Sequence, residues 1–221
     1  DRGERSQAAG PQPLHRLAIT LPEEAAWVNQ TGGGMSLSRG GRVLAYTGRG
    51  PGRSRPVYLR YMDRPDPVLV PGSDHGARPI FSPDGRWIGF LATGFQKAPL
   101  AGGPPEQVCR VDSFVAWSTW LESDAIVFAD GTSGLQQCTL SGEVTTLLAN
   151  DSTVTFNHPH GLPVNRGLLF SIRRNGVDRL AVLELGGPAA RGARPIGDPE
   201  MLACAIAADR AGRAAIARLL P

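Results

Sequence analysis

Three of the four histidines fall in two short stretches separated by a third that is rich in polar and aromatic residues. His75 follows Asp74 in "GSDHGARP", and His158 and His160 alternate in "FNHPHGLP". Asp112 lies in the intervening "VDSFVAWS". Imidazoles and carboxylates take up metals, move protons near neutral pH and grip polar ligands. A His-x-His pair on one strand turns both rings to the same side. Asp74, His75, Asp112, His158 and His160 are therefore the candidate ligand contacts. The plainer reading is loop side chains bonded to backbone and water, and no metal and no cofactor is assigned to them.

Other chemistry is sparser. Glu23–Glu24 and the run Glu122 to Asp124 offer neighbouring carboxylates of the kind glycoside hydrolysis uses. Nothing sets two of them across a cleft, and they read as solvated turn charges. The glycines of "TGGG" (Thr31 to Gly34) lack the Lys-Ser/Thr ending of a phosphate loop. There is no Gly-x-Ser-x-Gly elbow, and no kinase signature, anywhere in the chain. Cys109, Cys138 and Cys204 are odd in number and match neither a zinc motif nor a redox pair. They read first as small buried hydrophobes, with a disulfide or a reactive thiol as the alternative. The chain is thus expected not to be an enzyme.

The elements that would position these residues follow from composition and turns. Of 221 residues, 41% are hydrophobic and 19% charged, as in a soluble globular domain. A net charge of +3 is too small to argue for nucleic acid, and no apolar run approaches the roughly 20 residues of a membrane span. No secretory leader opens the chain. A start at Asp1 reads as a fragment's edge, which leaves that absence without weight. The 28 glycines and 19 prolines are spread throughout, predicting many turns and little long helix.

"SPDGRWIGF" (Ser82 to Phe90) shows the pattern most clearly. Pro83 presets φ, Asp84 suits a turn, and Gly85 can take the positive φ of a hairpin bulge. "ARPIF" before it and "RWIGFLA" after it are short strands, the second apolar on both faces and so needing cover on both. Related hairpins occupy residues 38–46, 120–128 and 162–170. Their closing aromatics, Tyr46, Phe90, Phe128 and Phe170, lie 44, 38 and 42 residues apart. Each hairpin is followed by two further strand-like runs. Four short strands per unit of about 40 to 45 residues is the mark of a β-propeller blade. An all-β propeller of four-stranded antiparallel blades is predicted over residues 14–200, with about four blades present. Leu14 to Leu21 reads as an additional N-terminal strand region. Residues 1–13 read as a flexible N-terminal segment. Residues 201–221 form an Ala-rich tail, atypical or folded as a short C-terminal helix.

The residues also resemble a known group. "FSPDGRWIGF" with Lys97, Pro99, Leu100, Gly102, Gly103 and Pro105 is similar to the TolB-type, WD-like propeller repeats of bacteria. Tyr58, Leu59, Arg60 and Asp63 match the same pattern, and the likeness runs from Leu17 to Gly197. Within that group it is nearest the extracytoplasmic propeller of membrane-anchored serine/threonine protein kinases. Phe156 and Asn157 depart from the His-Arg-x-Pro run usual before the fourth hairpin. The resemblance implies a non-catalytic binding or sensor module, here a fragment of a propeller that closes with six blades, the alternative being closure with four. It also implies a periplasmic or extracytoplasmic location and a protein, peptide or cell-envelope ligand at the channel mouth. The alternative is the gating propeller of a prolyl-oligopeptidase-type hydrolase without its catalytic domain.

Overall fold

In the computed structural model the described residues are 18–28, 34–151, 153–185 and the backbone of 194–196. They form four sheets, each a four-stranded antiparallel meander. Blade 1 comprises β1 (Met35–Leu37), β2 (Val43–Thr47), β3 (Val57–Tyr61) and β4 (Val68–Leu69). Blade 2 follows with β5 (Ala77–Phe81), β6 (Trp87–Leu91), β7 (Phe95–Pro99) and β8 (Glu106–Cys109). Blade 3 contains β9 (Val115–Trp120), β10 (Ala125–Asp130), β11 (Gly134–Thr139) and β12 (Val144–Ala149). Blade 4 has β13 (Val154–Gly161), β14 (Leu168–Arg174), β15 (Val177–Leu183) and β16 (Arg194–Ile196). The first strands of the blades adjoin in series, β1 against β5, β5 against β9 and β9 against β13. That arrangement is a β-propeller, with β1, β5, β9 and β13 innermost.

The blades hold together through three apolar layers, one at each junction. Val43, Ala45, Val57 and Leu59 of blade 1 meet Ile88 and Phe90 of blade 2. Phe95 and Val108 of blade 2 meet Trp120, Ile126 and Phe128 of blade 3. Val127, Ala129 and Leu135 of blade 3 meet Leu168, Phe170 and Leu183 of blade 4. All four closing aromatics are fully buried. Each Phe so enclosed contributes roughly 1.5–3 kcal/mol of burial, and none could be enclosed by its own flat sheet.

The hairpin turns work through side chains as well as backbone. Ser82 Oγ accepts the Trp87 N–H at 2.9 Å and donates to Asp84 Oδ1 at 2.6 Å. Asp84 Oδ1 also accepts the Arg86 N–H at 3.0 Å. The left-handed position is filled by Gly41, Gly85 and Asp124 in the first three turns, with φ of 69, 70 and 58°, and by Val164 and Asn165 in succession in the fourth, at 61 and 52°. Asp and Asn tolerate that region because their short polar side chains bond locally. In blade 3 the turn is one residue shorter: Leu121 N–H reaches Ala125 O, four residues on, where Ser82 N–H reaches Trp87 O, five on.

Residues 18–22 carry no strand, and a short 3-10 turn occupies Glu23–Ala25 in place of the expected N-terminal strand end. Residues 1–13 and the Ala-rich tail at 201–221, with its expected helix, lie outside the described residues.

Candidate functional site

Each innermost strand of blades 2, 3 and 4 is broken by a bulge at the same place. The register slips between Ala77 and Ile80 in β5, at Ala116 in β9, and between Asn157 and His160 in β13. Bulges re-aim side chains and sharpen local twist. Arg78 and His158 occupy the first and third of these with φ of 55 and 52°. Each is followed by a buried proline, Pro79 or Pro159. A side chain with a Cβ disfavours positive φ, and a residue before proline is restricted further. Such strain persists only where the surroundings enforce it, and it clusters at functional sites.

The bulges tie neighbouring blades together. The Arg78 guanidinium donates through Nη1 to the Ala116 carbonyl of the next blade's bulge and lies over the Phe114 ring, 5.4 Å from its centroid. The Trp117 ring stands 4.0 Å from the His158 ring, centroid to centroid. Phe114 and Trp117 are 60% and 40% exposed, unusual for large aromatics on an inner strand and its approach. His158 Nδ1 is 3.0 Å from Ser171 Oγ, a hydroxyl that also lies within hydrogen-bond reach of the Asn157 carbonyl at 3.3 Å. Nδ1 is thus engaged by the Ser171 hydroxyl, and Nε2 is the ring nitrogen left for a ligand. Burial is the largest influence on His158 and lowers its pKa; Asp178 pulls it up and Arg173 pushes it down.

Support comes from Asp130, a buried carboxylate at the end of β10. It accepts the Ser113 hydroxyl, the Thr132 N–H at 2.8 Å and hydroxyl at 2.7 Å, and the Ser133 N–H at 3.2 Å. Burial alone would raise its pKa, but these hydrogen bonds outweigh it and hold the carboxyl below its ordinary value. Asp130 thereby pins the loop that carries Asp112 and Phe114.

The sequence candidates divide in two. Asp74, His75 and Asp112 are exposed in the loops leading into β5 and β9, and the Asp74 carbonyl accepts the Arg55 N–H at 2.7 Å. His158 and His160 lie within strand β13 rather than in a loop, and the bulge interrupts their regular alternation. Among the described residues no three His, Cys, Asp or Glu side chains come together to hold a metal. Sequence reasoning reached His158 but passed over Arg78, Phe114, Trp117 and Asp130. A signal for the bulge was present: Gly34, Arg78, Ala116 and His158 each precede their blade's closing aromatic by 12 residues.

Two further expectations change. Cys109 of β8 and Cys138 of β11 form a disulfide between blades 2 and 3, so these two are not free buried hydrophobes. Glu122 is not a solvated turn charge: it pairs with Arg39 of blade 1 at 2.7 Å and accepts the Val164 N–H of blade 4 at 2.9 Å. The far ends of the inner strands meet at this carboxylate.

No protein-family model and no curated protein sequence matches the chain. Solved structures do match in fold. A protein assigned as TolB from Agrobacterium tumefaciens aligns with a TM-score of 0.61 at 14% identity, over 77% of this chain and 67% of that one. The Swd1 β-propeller domain of Myceliophthora thermophila aligns with a TM-score of 0.62 at 12% identity, over 82% and 58%. An oligogalacturonate lyase in complex with manganese aligns at 0.56 and 10% identity, over 76% and 53%. These likenesses establish the propeller class, and this chain spans 53 to 67% of the length of those structures. No described helix is long and apolar enough to cross a membrane.

Proposed function

We propose that the chain is a non-catalytic propeller module that binds its ligand at the channel lined by β5, β9 and β13. The observation that carries this reading is the bulge cluster, where strained Arg78 and His158 flank the exposed Phe114 and Trp117. Rigid strands hold those groups in place before any ligand arrives, which lowers the ordering cost of binding. The test is a titration of the purified protein against arrayed cell-envelope glycans and extended peptides, alongside screens for hydrolase and lyase turnover. Saturable binding that Trp117→Ala removes, without turnover, is the expected result. Turnover of any substrate, or binding indifferent to Trp117→Ala, defeats it.

The module belongs to the extracytoplasmic part of a receptor-type serine/threonine kinase or to a TolB-like envelope protein. Supporting this are the repeat likeness and the inter-blade disulfide, a bond that persists in oxidising compartments. The parent propeller has more than four blades. Met35 and Leu37 pair with Tyr46 and Leu44, which puts them on the face of blade 1 turned away from Val43, Ala45 and blade 2. They are 51% and 47% exposed there, as expected of a face that a further blade covers. The open reading frame separates the forms. A membrane span and kinase domain ahead of these residues supports the receptor, whereas a following α/β-hydrolase region with a serine elbow makes the chain a gating propeller instead.

A further inference from the structure

We infer that the ligand of the bulge cluster is an acidic saccharide, with its carboxylate on Arg78, a C–H ring face on Trp117 and a hydroxyl on His158 Nε2. This rests on the channel-binding reading above and adds the chemical class. Arg78 is half-buried, and burial lowers its pKa, yet among the described residues it is paired with no carboxylate. An uncompensated guanidinium removed from water is costly, and its planar fork suits a carboxylate. One of its donors is committed to the Ala116 carbonyl and its face to Phe114, so its orientation is already set.

The partners around it narrow the class. With Nδ1 engaged by Ser171, Nε2 of His158 is left for the ligand, and a sugar hydroxyl, which can both donate and accept, matches it. The open Trp117 ring beside it offers an apolar, electron-rich face to ring C–H groups. An acidic peptide fits less well. Peptides that add to a sheet edge need an unbroken row of backbone partners. Here the inner edges of β5, β9 and β13 are all interrupted by bulges at the site. The residues involved come from three consecutive blades, so the site exists only when the blades are assembled.

The deciding experiment is calorimetric titration with tetragalacturonate, its fully methyl-esterified form and tetraglutamate. The acid should bind at least tenfold more tightly than the ester. Arg78→Gln should erase that difference by weakening the acid far more than the ester, and Arg78→Lys should restore part of it. Trp117→Ala should weaken both sugars at least tenfold. Unchanged melting curves and far-ultraviolet spectra confirm that each variant folds. Equal binding of acid and ester, no binding of either, or tighter binding of tetraglutamate overturns the acidic-saccharide assignment. In any of those cases, if some other glycan or peptide binds and Trp117→Ala abolishes its binding, the channel reading stands and only the ligand class falls. No binding across the wider panel removes both.

Discussion

Asp84 shows how one side chain can hold a repeat motif together. The Ser82 hydroxyl, the Arg86 N–H and the Arg86 guanidinium all donate to it, and they pull its carboxyl down to about 2. A depressed carboxylate pKa adds stability above the unfolded value of about 3.9, and that stability is lost as pH falls towards the folded value. The window is therefore pH 4 to 2. With the side chain 41% exposed, solvent screening reduces the contribution to about 1 kcal/mol. Unfolding free energies of Asp84→Asn from urea melts should lie below wild type at pH 7 by that amount, and the two pH curves should converge near pH 2. Parallel curves across the range would show that the turn does not depend on the carboxylate's charge.

At the scale of elements, the strands of a blade and its neighbour are joined by few but strong constraints. Cys109 and Cys138 bond β8 to β11 across 29 residues. Closing a loop of that length restricts the unfolded chain by about 3–4 kcal/mol in the chain-entropy model. Cys109→Ser with Cys138→Ser should lower the unfolding free energy by about 2–4 kcal/mol, and dithiothreitol should lower the wild-type Tm but not the variant's. Gly134 opens β11 with φ of 106°, and a Cβ there would stand 2.1 Å from the Leu148 carbonyl oxygen. That oxygen is backbone in the paired β12 and cannot swing aside. Gly134→Ala should destabilise by more than about 2 kcal/mol. Thermal melts that match wild type would mean that the β11–β12 edge yields freely.

For the whole molecule the governing fact is that every blade needs a neighbour. The three junction layers enclose most of the large buried side chains; Tyr46 instead packs on Tyr58 and bonds the Ala25 carbonyl, while Met35 and Leu37 on that face of blade 1 are exposed to water. Exposed apolar residues on a terminal repeat invite association. Sedimentation of the isolated chain should show concentration-dependent self-association, which Met35→Ser with Leu37→Ser should reduce. A monodisperse monomer that melts in one cooperative step would count against a larger parent propeller.

Turn chemistry and strand alternation act over a few residues, so the amino-acid order alone determined the hairpins, the repeat and the four-stranded blades. Ser82, Asp84 and Gly85 could be read as a turn because their partners are near neighbours in the chain. His158 stood out by residue type, but its strained φ and its contact with Ser171 of β14 belong to the bulged β13–β14 pair. The Cys109–Cys138 bond, the Arg39–Glu122 pair and the Arg78–Phe114–Trp117–His158 row were decided by tertiary structure. Each joins residues from different blades, separated by 29 positions in the disulfide and 83 in the ion pair. No local pattern encodes which blade faces meet. That choice follows only when the sheets stack to cover one another's apolar sides.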